Sequence, residues 1–164
     1  FFKEDQMNQI IAQALDGQQY GNINFFPRLK TNSEVNEFYN AIDIDLSGMS
    51  GAEGWNLPAF NATCLGKWSI VLNCSSHCDW ANKDNSILIE PNGTTSAEDG
   101  VFFNKNSPFN QGEIYTFDHD EFISNLEKSE EYAGKSNENG VKLIEVFSYE
   151  KAVNSILEIM EQNA

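Results

Sequence analysis

The feature that most constrains the fold is an alternation of short apolar runs with one helix-like segment between residues 42 and 73. "IDIDLS" (42–47) has the character of a strand, and "WSIVLN" (68–73) is almost continuously apolar, as strands buried on both faces are. Between them, "LPAFNATCLG" (57–66) has proline in its first turn and glycine at its end, which predicts a helix. Strand, helix and strand within about 30 residues form a unit that joins two parallel strands. We therefore expect an α/β fold with a doubly wound parallel sheet.

The rest of the chain extends this pattern. Thr31 and Glu34 stand at capping-box spacing, which predicts the start of a helix. Asp43 and Asp45 occupy alternating positions, which indicates a strand end or a solvated face. The length suits a single domain over 1–164. Further helices are predicted over 3–15, 31–41, 118–133 and, as a closing helix, 148–163; further strands over 22–26 and 86–90; a long loop or small hairpin over 91–117; and an insertion over 92–135.

The composition excludes several classes of partner. The net charge is -15, and because nucleic acid binding needs clustered Lys and Arg, neither nucleic acid nor an anionic membrane surface is expected. No apolar run reaches the roughly 18 residues of a spanning helix, so we expect no transmembrane segment. The first residues show neither an initiator Met nor a secretion signal, which favours a mature product or a fragment of a longer protein. Three cysteines, an odd number, favour a reducing cytoplasm over a disulfide scaffold.

The loop before the central helix carries the candidate chemistry. In parallel sheets, ligands bind outside the carboxyl ends of the strands, where residues 47–56 are expected to lie. Asn56 is placed to cap the helix, whose opening carries about half a positive charge and stabilises phosphate. Glu53 lies three residues earlier and can accept hydrogen bonds from sugar hydroxyls, and Asn61 lies one turn into the helix. Glycines at 48, 51 and 54 would let the backbone come close to a ligand.

Each of these features also has a plainer interpretation. A glycine-rich loop with one acid occurs in many α/β proteins, and on spacing alone a surface carboxylate is the better interpretation of Glu53. The sequence "CSSHCDW" places Cys74, His77 and Cys78 close together, but zinc sites need about four ligands and no second cluster follows. We therefore expect a turn here and no metal. Cys64, inside the apolar helix, is interpreted as a small core residue.

A series of short motifs follows in a fixed order along the chain. "EGWNLP" (53–58) precedes the central helix, "LG" (65–66) ends it, "SIVL" (69–72) forms the next strand, and "NSILIEP" (85–91) closes the series. This order resembles the donor-binding half of retaining GT-B glycosyltransferases of the large family 4. The resemblance implies a Rossmann-like, doubly wound domain that forms the C-terminal half of a GT-B fold and lacks its N-terminal part. Such a domain binds a nucleotide-diphosphate sugar and transfers the sugar to an acceptor with retention of configuration.

The resemblance implies roles for the residues of the loop. The first Glu of the family motif meets the hydroxyls of the transferred sugar, and this role falls on Glu53 as the catalytic residue. The backbone that follows contacts the sugar and the donor phosphate. The ring of Trp55 either lines the donor pocket or shields the underside of the loop. The donor-binding backbone would be that of Gly54, Trp55, Asn56 and Leu57.

Two further positions are implied with departures from the family pattern. The family's second Glu grips the ribose hydroxyls, and Asn61 stands in its place. An amide still bonds a hydroxyl but loses the charge-assisted part, about 1 kcal/mol. Arg28 and Leu29 correspond to the turn that faces the nucleobase. The resemblance is strong over 22–91 and weaker over 140–160, and it leaves the insertion unexplained.

The resemblance also implies components outside this sequence. The basic pair that neutralises the diphosphate would precede Phe1, and an N-terminal GT-B domain would hold a sugar, lipid or protein acceptor. This piece alone is expected to bind weakly and to be inactive, without metal or cofactor. The protein is expected to be cytoplasmic, with a membrane-peripheral full-length chain as an alternative. Three rivals remain: a degenerate, non-catalytic nucleotide-sugar-binding or interaction module, a GT-B relative that epimerises or hydrolyses the sugar nucleotide, and a plain α/β interaction domain.

Overall fold

The structure is a computed structural model that describes residues 4–98, 100 and 103–163. The chain divides into two compact units, residues 1–35 and 36–164. Within the described residues, the strands form a three-stranded sheet and a two-stranded sheet. The helices are α1 (Glu4–Ala14), α2 (Asn32–Ala41), α3 (Leu57–Cys64), α4 (His119–Ser129), α5 (Glu138–Val141), α6 (Leu143–Val146) and α7 (Tyr149–Gln162), and the strands are β1 (Ile44–Gly48), β2 (Trp68–Leu72), β3 (Ile87–Ile89), β4 (Gly93–Ser96) and β5 (Glu113–Thr116).

The main sheet is parallel, in the order β1-β2-β3. Ile44 pairs with Trp68 on β2, and Ile70 pairs with Ile87 on β3. The helix α3 connects β1 to β2 as predicted. Gly66, which follows α3, has φ 80, a left-handed conformation that suits glycine and ends the helix. The sequence prediction of an α/β chain with parallel strands is thus confirmed.

The central strand β2 is buried on both faces, as its apolar run predicted. Val71 packs in one cluster with residues of α3 and α6, including Ala59 and Leu143. Ile70 and Leu72 pack in the other cluster, against which Phe122 and Leu126 of α4 also lie. Alternate side chains of one strand therefore serve two separate apolar clusters, and helices flank the sheet on both sides.

The segment predicted as a loop or small hairpin is a hairpin. The strands β4 and β5 pair antiparallel, with Gly93 opposite Thr116 and Ser96 opposite Glu113. A cavity of about 180 Å³ lies in the hairpin's connection, and its lining contains none of the predicted site residues. The hairpin contributes to the site in another way, through Tyr115, described below.

The predicted helix starts are found where side chains can cap them. Thr31 Oγ1 accepts a hydrogen bond from the Glu34 amide at 3.2 Å, and Glu34 Oε2 accepts one from the Thr31 amide at 2.9 Å, which completes the capping box. Asp118 caps α4 through the amides of Asp120 and Glu121. Ser148 likewise caps α7.

The predicted strand over 22–26 is wrong, because residues 23–30 adopt no regular secondary structure. The Ile23 amide donates instead to the Tyr20 carbonyl at 3.2 Å, a local turn. A strand this short is stable only beside a hydrogen-bonded neighbour, and Pro27, which has no amide hydrogen, limits it further. The strand propensity of residues 22–26 alone therefore gave a wrong prediction.

The closing helix α7 forms, but none of its residues is buried. Its apolar residues Val153, Ile156, Leu157 and Met160 are all at least half exposed, and Tyr149 is 94% exposed. Within the described part of the chain, no helix combines the length and the apolar character needed to cross a membrane.

Candidate functional site

The loops that follow β1 and β2 meet at one edge of the sheet, because parallel strands place their carboxyl ends together. After β1 comes the loop 49–56, and after β2 comes a short 3-10 turn, Ser75–Asp79. The hydroxyls of Ser75 and Ser76 both donate to the Glu53 carbonyl, at 2.8 and 2.9 Å. The two loops are thereby joined at the residue that the sequence singled out.

The α3 opening, residues 56–59, is capped by Asn56, as predicted. Its backbone adopts a left-handed conformation with φ 59, and Asn tolerates this better than most residues. Its Oδ1 accepts from the Ala59 amide at 3.2 Å, and its Nδ2 donates to the Ser47 carbonyl at 2.8 Å. The side chain thus ties the end of β1 to the start of α3 and uses one of the free amides of the helix.

The glycines of this loop differ from the expectation that all three leave room for a ligand. A side chain at Gly48 would meet the Ile70 carbonyl oxygen at 2.5 Å, and one at Gly51 would overlap the Tyr115 carbonyl. The Tyr115 amide also donates to the Gly51 carbonyl at 3.1 Å. Only Gly54 of the three faces open space. Gly48 and Gly51 therefore allow close packing against the backbone of Ile70 and Tyr115, and they leave no room there for a ligand.

Several predicted site residues are accessible. The side chain of Glu53 is partly exposed although its carbonyl is held, and Gly54 is exposed. Leu57 is 61% exposed at the first position of α3, and Asn61 is exposed one turn further along. The structure thus leaves Glu53, Leu57 and Asn61 accessible near the α3 start, whereas Asn56 is buried.

The side chain of Trp55 packs inward. Its ring lies edge-to-face against Phe60 and Phe147, with ring centroids 5.4 and 5.1 Å apart, and its carbonyl accepts from Trp80 Nε1 at 3.2 Å. Which of the two roles this ring has, lining the donor pocket or shielding the underside of the loop, stays a prediction.

Arg28 and Leu29 lie in the unit of residues 1–35, which is described by itself. Arg28 is exposed and Leu29 is partly buried, in a stretch without regular structure. Their predicted position near the nucleobase stays a prediction.

A buried polar group behind the loop was not expected from the sequence. Asp45 is only 7% exposed, so a solvated face is wrong for it, but it lies near a strand end, as the second residue of β1. Asp43 is exposed. Burial raises the pKa of the Asp45 carboxyl, against hydrogen bonds from Ser47 and Ser69 that lower it. Strand alternation could not reveal this burial, because residues two positions apart are expected on the same face of a strand. Only the packing of the folded chain makes Asp45 buried and Asp43 exposed.

The Cys and His residues after β2 have structural partners. His77 is fully buried, and its Nδ1 lies 2.8 Å from the Leu72 carbonyl oxygen. Among the described residues, no group of three or more His, Cys, Asp or Glu side chains is arranged to hold a metal, and the absence of a metal from this protein stays a prediction. The three thiols are unpaired, and burial raises the pKa of Cys64, a core residue as predicted, to about 11.

A scan against protein-family models and a search of curated proteins both returned no match.

Proposed function

We propose that this chain is the donor-binding part of a retaining GT-B glycosyltransferase, with a Rossmann-like, doubly wound arrangement completed by a further domain. The diphosphate of a nucleotide sugar would lie at the α3 opening, and the sugar would lie against the Glu53 carboxylate. Transfer would proceed with retention to a sugar, lipid or protein acceptor. The resemblance of residues 22–91 to that family suggests this activity.

The observation that carries the proposal is the position of Glu53. Its loop leaves the carboxyl end of a parallel strand and leads directly into a helix start, where ligands of α/β sheets bind. Ser75 and Ser76 fix its backbone from the neighbouring loop, while the residue stays partly exposed. Because the backbone of Glu53 is already fixed, its carboxylate can accept hydrogen bonds from sugar hydroxyls without first ordering the loop.

The Asn56 cap limits how an anion can bind. Because its Oδ1 takes the Ala59 amide, a phosphate would use the Leu57 amide and the dipole of α3. Pro58 offers no amide hydrogen. An acidic chain with net charge -15 would therefore hold a diphosphate weakly by itself, and basic residues from another part of the protein would be needed for tight binding.

Thermal unfolding with UDP, GDP, ADP and their sugars tests the proposal. Ligand at about 100 times its dissociation constant stabilises a protein by roughly 2.7 kcal/mol, a shift that is easily measured. We expect one nucleotide series to stabilise the chain and its sugar conjugate to stabilise it further. Equal shifts with inorganic phosphate, or none with any nucleotide, would remove the proposal.

Replacing Glu53 with Gln separates sugar recognition from nucleotide binding. We expect affinity for the nucleotide sugar to fall about tenfold, since bonds to a charged acceptor contribute about 1.5–3 kcal/mol. Affinity for the free nucleotide should stay within about twofold of wild type. Calorimetric titration measures both, and Glu127→Gln, at an exposed position on α4, is the matched control. Equal losses for both ligands would show that Glu53 does not face the sugar.

Replacing Asn61 with Glu tests the ribose contact. Restoring a carboxylate should tighten nucleotide binding about fivefold, since the charge-assisted component contributes about 1 kcal/mol. Asn61→Gln, which lengthens the side chain without adding charge, is the control, and competition titration with a fluorescent nucleotide is the measurement. Unchanged or weaker affinity in the Glu variant would remove Asn61 from the ribose site.

A second candidate function is a non-catalytic binding module. The amide at Asn61, where the resembled family has a carboxylate, favours it. The two functions differ in their response to Glu53→Gln, because a module that binds without transferring sugar needs no carboxylate at the reacting centre.

A further inference from the structure

A chain of hydrogen bonds runs from the buried carboxylate of β1 toward the candidate site. Asp45 Oδ1 and Oδ2 accept from the Ser47 hydroxyl at 3.0 and 2.9 Å, and Oδ2 also accepts from the Ser47 amide at 3.2 Å. One side chain thus fixes both the backbone and the side chain of the residue two positions later. Ser47 is next to the last residue of β1, where the strand gives way to the loop.

The chain continues from Ser47 to the helix. The Ser47 carbonyl accepts from Asn56 Nδ2 at 2.8 Å, and Asn56 Oδ1 accepts from the Ala59 amide at 3.2 Å. Asn56 is 5% exposed and has a left-handed backbone, so few alternative positions are open to it. The position of the α3 opening therefore depends on Ser47, and Ser47 depends on Asp45.

We propose that Asp45 is a positioning residue for the candidate site, because its carboxylate orders the α3 opening through Ser47 and Asn56. The ligand-binding part of this inference rests on the proposed function, and the ordering of the opening does not. Asp45 is only 7% exposed, so it would act through Ser47 and not by direct contact with a ligand. Its action is to hold the amides and the dipole of α3 where an esterified diphosphate would meet them.

The surroundings of Asp45 determine how this ordering responds to pH. The titratable group coupled to it is Tyr39 of α2, whose pKa is raised by burial and by the Asp45 charge. From β2, Ser69 contributes a hydroxyl, which is itself bonded to Thr63 of α3 at 2.9 Å. No cation is coupled to the Asp45 carboxyl among these contacts, and burial raises its pKa.

The direction in which stability changes with pH distinguishes a positioning role of Asp45 from a purely structural one. Because the folded pKa of Asp45 is raised, its proton-linked contribution to stability is present below the unfolded pKa and is lost as pH rises through the folded pKa. The ordering of the α3 opening should instead increase as pH rises, because the charged carboxylate accepts hydrogen bonds from Ser47 more strongly than the protonated one does. Raising pH should therefore lower the stability of the fold and tighten the opening.

Two substitutions of Asp45 and one control test this. Asp45→Asn keeps an oxygen acceptor without charge, Asp45→Val removes the acceptor, and Asp43→Asn changes an exposed aspartate on the same segment that accepts from the Gly134 amide. By NMR, exchange of the Ala59 amide and the Asn56 side-chain amide should quicken about fivefold in Asp45→Asn and more in Asp45→Val. Asp45→Asn should also raise the melting temperature at neutral pH, and Asp43→Asn should match wild type in both measurements.

Binding of UDP-glucose completes the test, because its diphosphate is esterified at both ends and does not titrate with the protein. As pH rises through the raised folded pKa of Asp45, wild-type affinity should rise, while Asp45→Asn should bind about fivefold more weakly with no such slope. If UDP-glucose does not bind wild type but the exchange pattern holds, the positioning role stands and the proposed function fails. If UDP-glucose binds and Asp45→Asn matches wild type in exchange and pH profile, the positioning role is overturned.

Discussion

Replacing Gly51 with alanine is expected to destabilise the protein by about 3 kcal/mol, at the upper end of the usual cost of overpacking. A Cβ at this position would overlap the Tyr115 carbonyl oxygen and would lie 2.8 Å from its carbonyl carbon and 2.9 Å from its amide nitrogen. These are backbone atoms of β5, so no side-chain rotation can relieve the overlap. The loop and the hairpin would have to separate, with loss of the 3.1 Å bond from the Tyr115 amide to the Gly51 carbonyl.

The matched control is Gly54→Ala in the same loop. A Cβ there meets no atom within 4 Å, so its effect on the free energy of unfolding should stay within about 0.5 kcal/mol. Urea denaturation of the two variants measures the difference directly. If both variants unfold at the same urea concentration, the loop does not dock on the hairpin as the structure shows.

The dependence on Gly51 assigns a role to the hairpin, which the resemblance to glycosyltransferases left unexplained. Tyr115 donates to the carbonyl of Gly51, and Glu53 follows Gly51 by two residues in the same loop. The hairpin therefore holds the loop at Gly51, and Ser75 and Ser76 hold the same loop at Glu53. We expect Gly51→Ala to weaken the proposed nucleotide-sugar binding along with stability, since the position of Glu53 depends on both supports.

Local sequence rules predicted the elements that build the site. The apolar run of β2 predicted burial on both faces, and proline and glycine at the two ends of α3 predicted its limits. The cap by Asn56 followed from the residue type preferred at that position. In each case the deciding interaction is made within a few residues of chain, where residue types and spacing are informative.

The contacts that hold the site in place could not be predicted in this way. Gly51 meets a residue 64 positions later, and Asp45 is buried although Asp43, two residues earlier, is exposed. The strand over 22–26 failed for the same reason, since a strand needs a hydrogen-bonded neighbour that composition does not reveal. Propensity describes what a segment can form, and tertiary partners decide what it does form.

Replacing Asn137 with alanine is expected to lower the free energy of unfolding by about 3 kcal/mol, since it removes buried hydrogen bonds and leaves their partners unsatisfied. The side chain is 1% exposed. Its Nδ2 donates to the carbonyls of Lys67 and Asn85, at 2.9 and 2.7 Å, and its Oδ1 accepts from the Gly140 amide at 2.9 Å. These contacts join the residues just before β2 and β3 to α5.

Asn139→Ala is the control, two residues further along the chain and inside α5. Asn139 is exposed, donates to the Asp84 carbonyl at 3.2 Å and accepts from Lys142 Nζ at 2.8 Å, so water can replace both bonds and the loss should stay below about 1 kcal/mol. Asn137→Asp keeps the acceptor for Gly140 but cannot donate to either carbonyl when it is ionised. It should therefore destabilise at least as strongly as alanine at neutral pH and recover partly in acid, where a protonated carboxyl can donate one bond.

Hydrogen exchange locates the damage as well as measuring it. In Asn137→Ala, amides of β2 and β3 should lose protection together with those of α5, because one side chain joins all three. Losses confined to α5 would show that the sheet does not depend on Asn137. Since the loops of the candidate site leave β1 and β2, a variant that loosens β2 should also weaken the ligand-dependent thermal shift, with Glu53, Asn56 and Asn61 left unchanged.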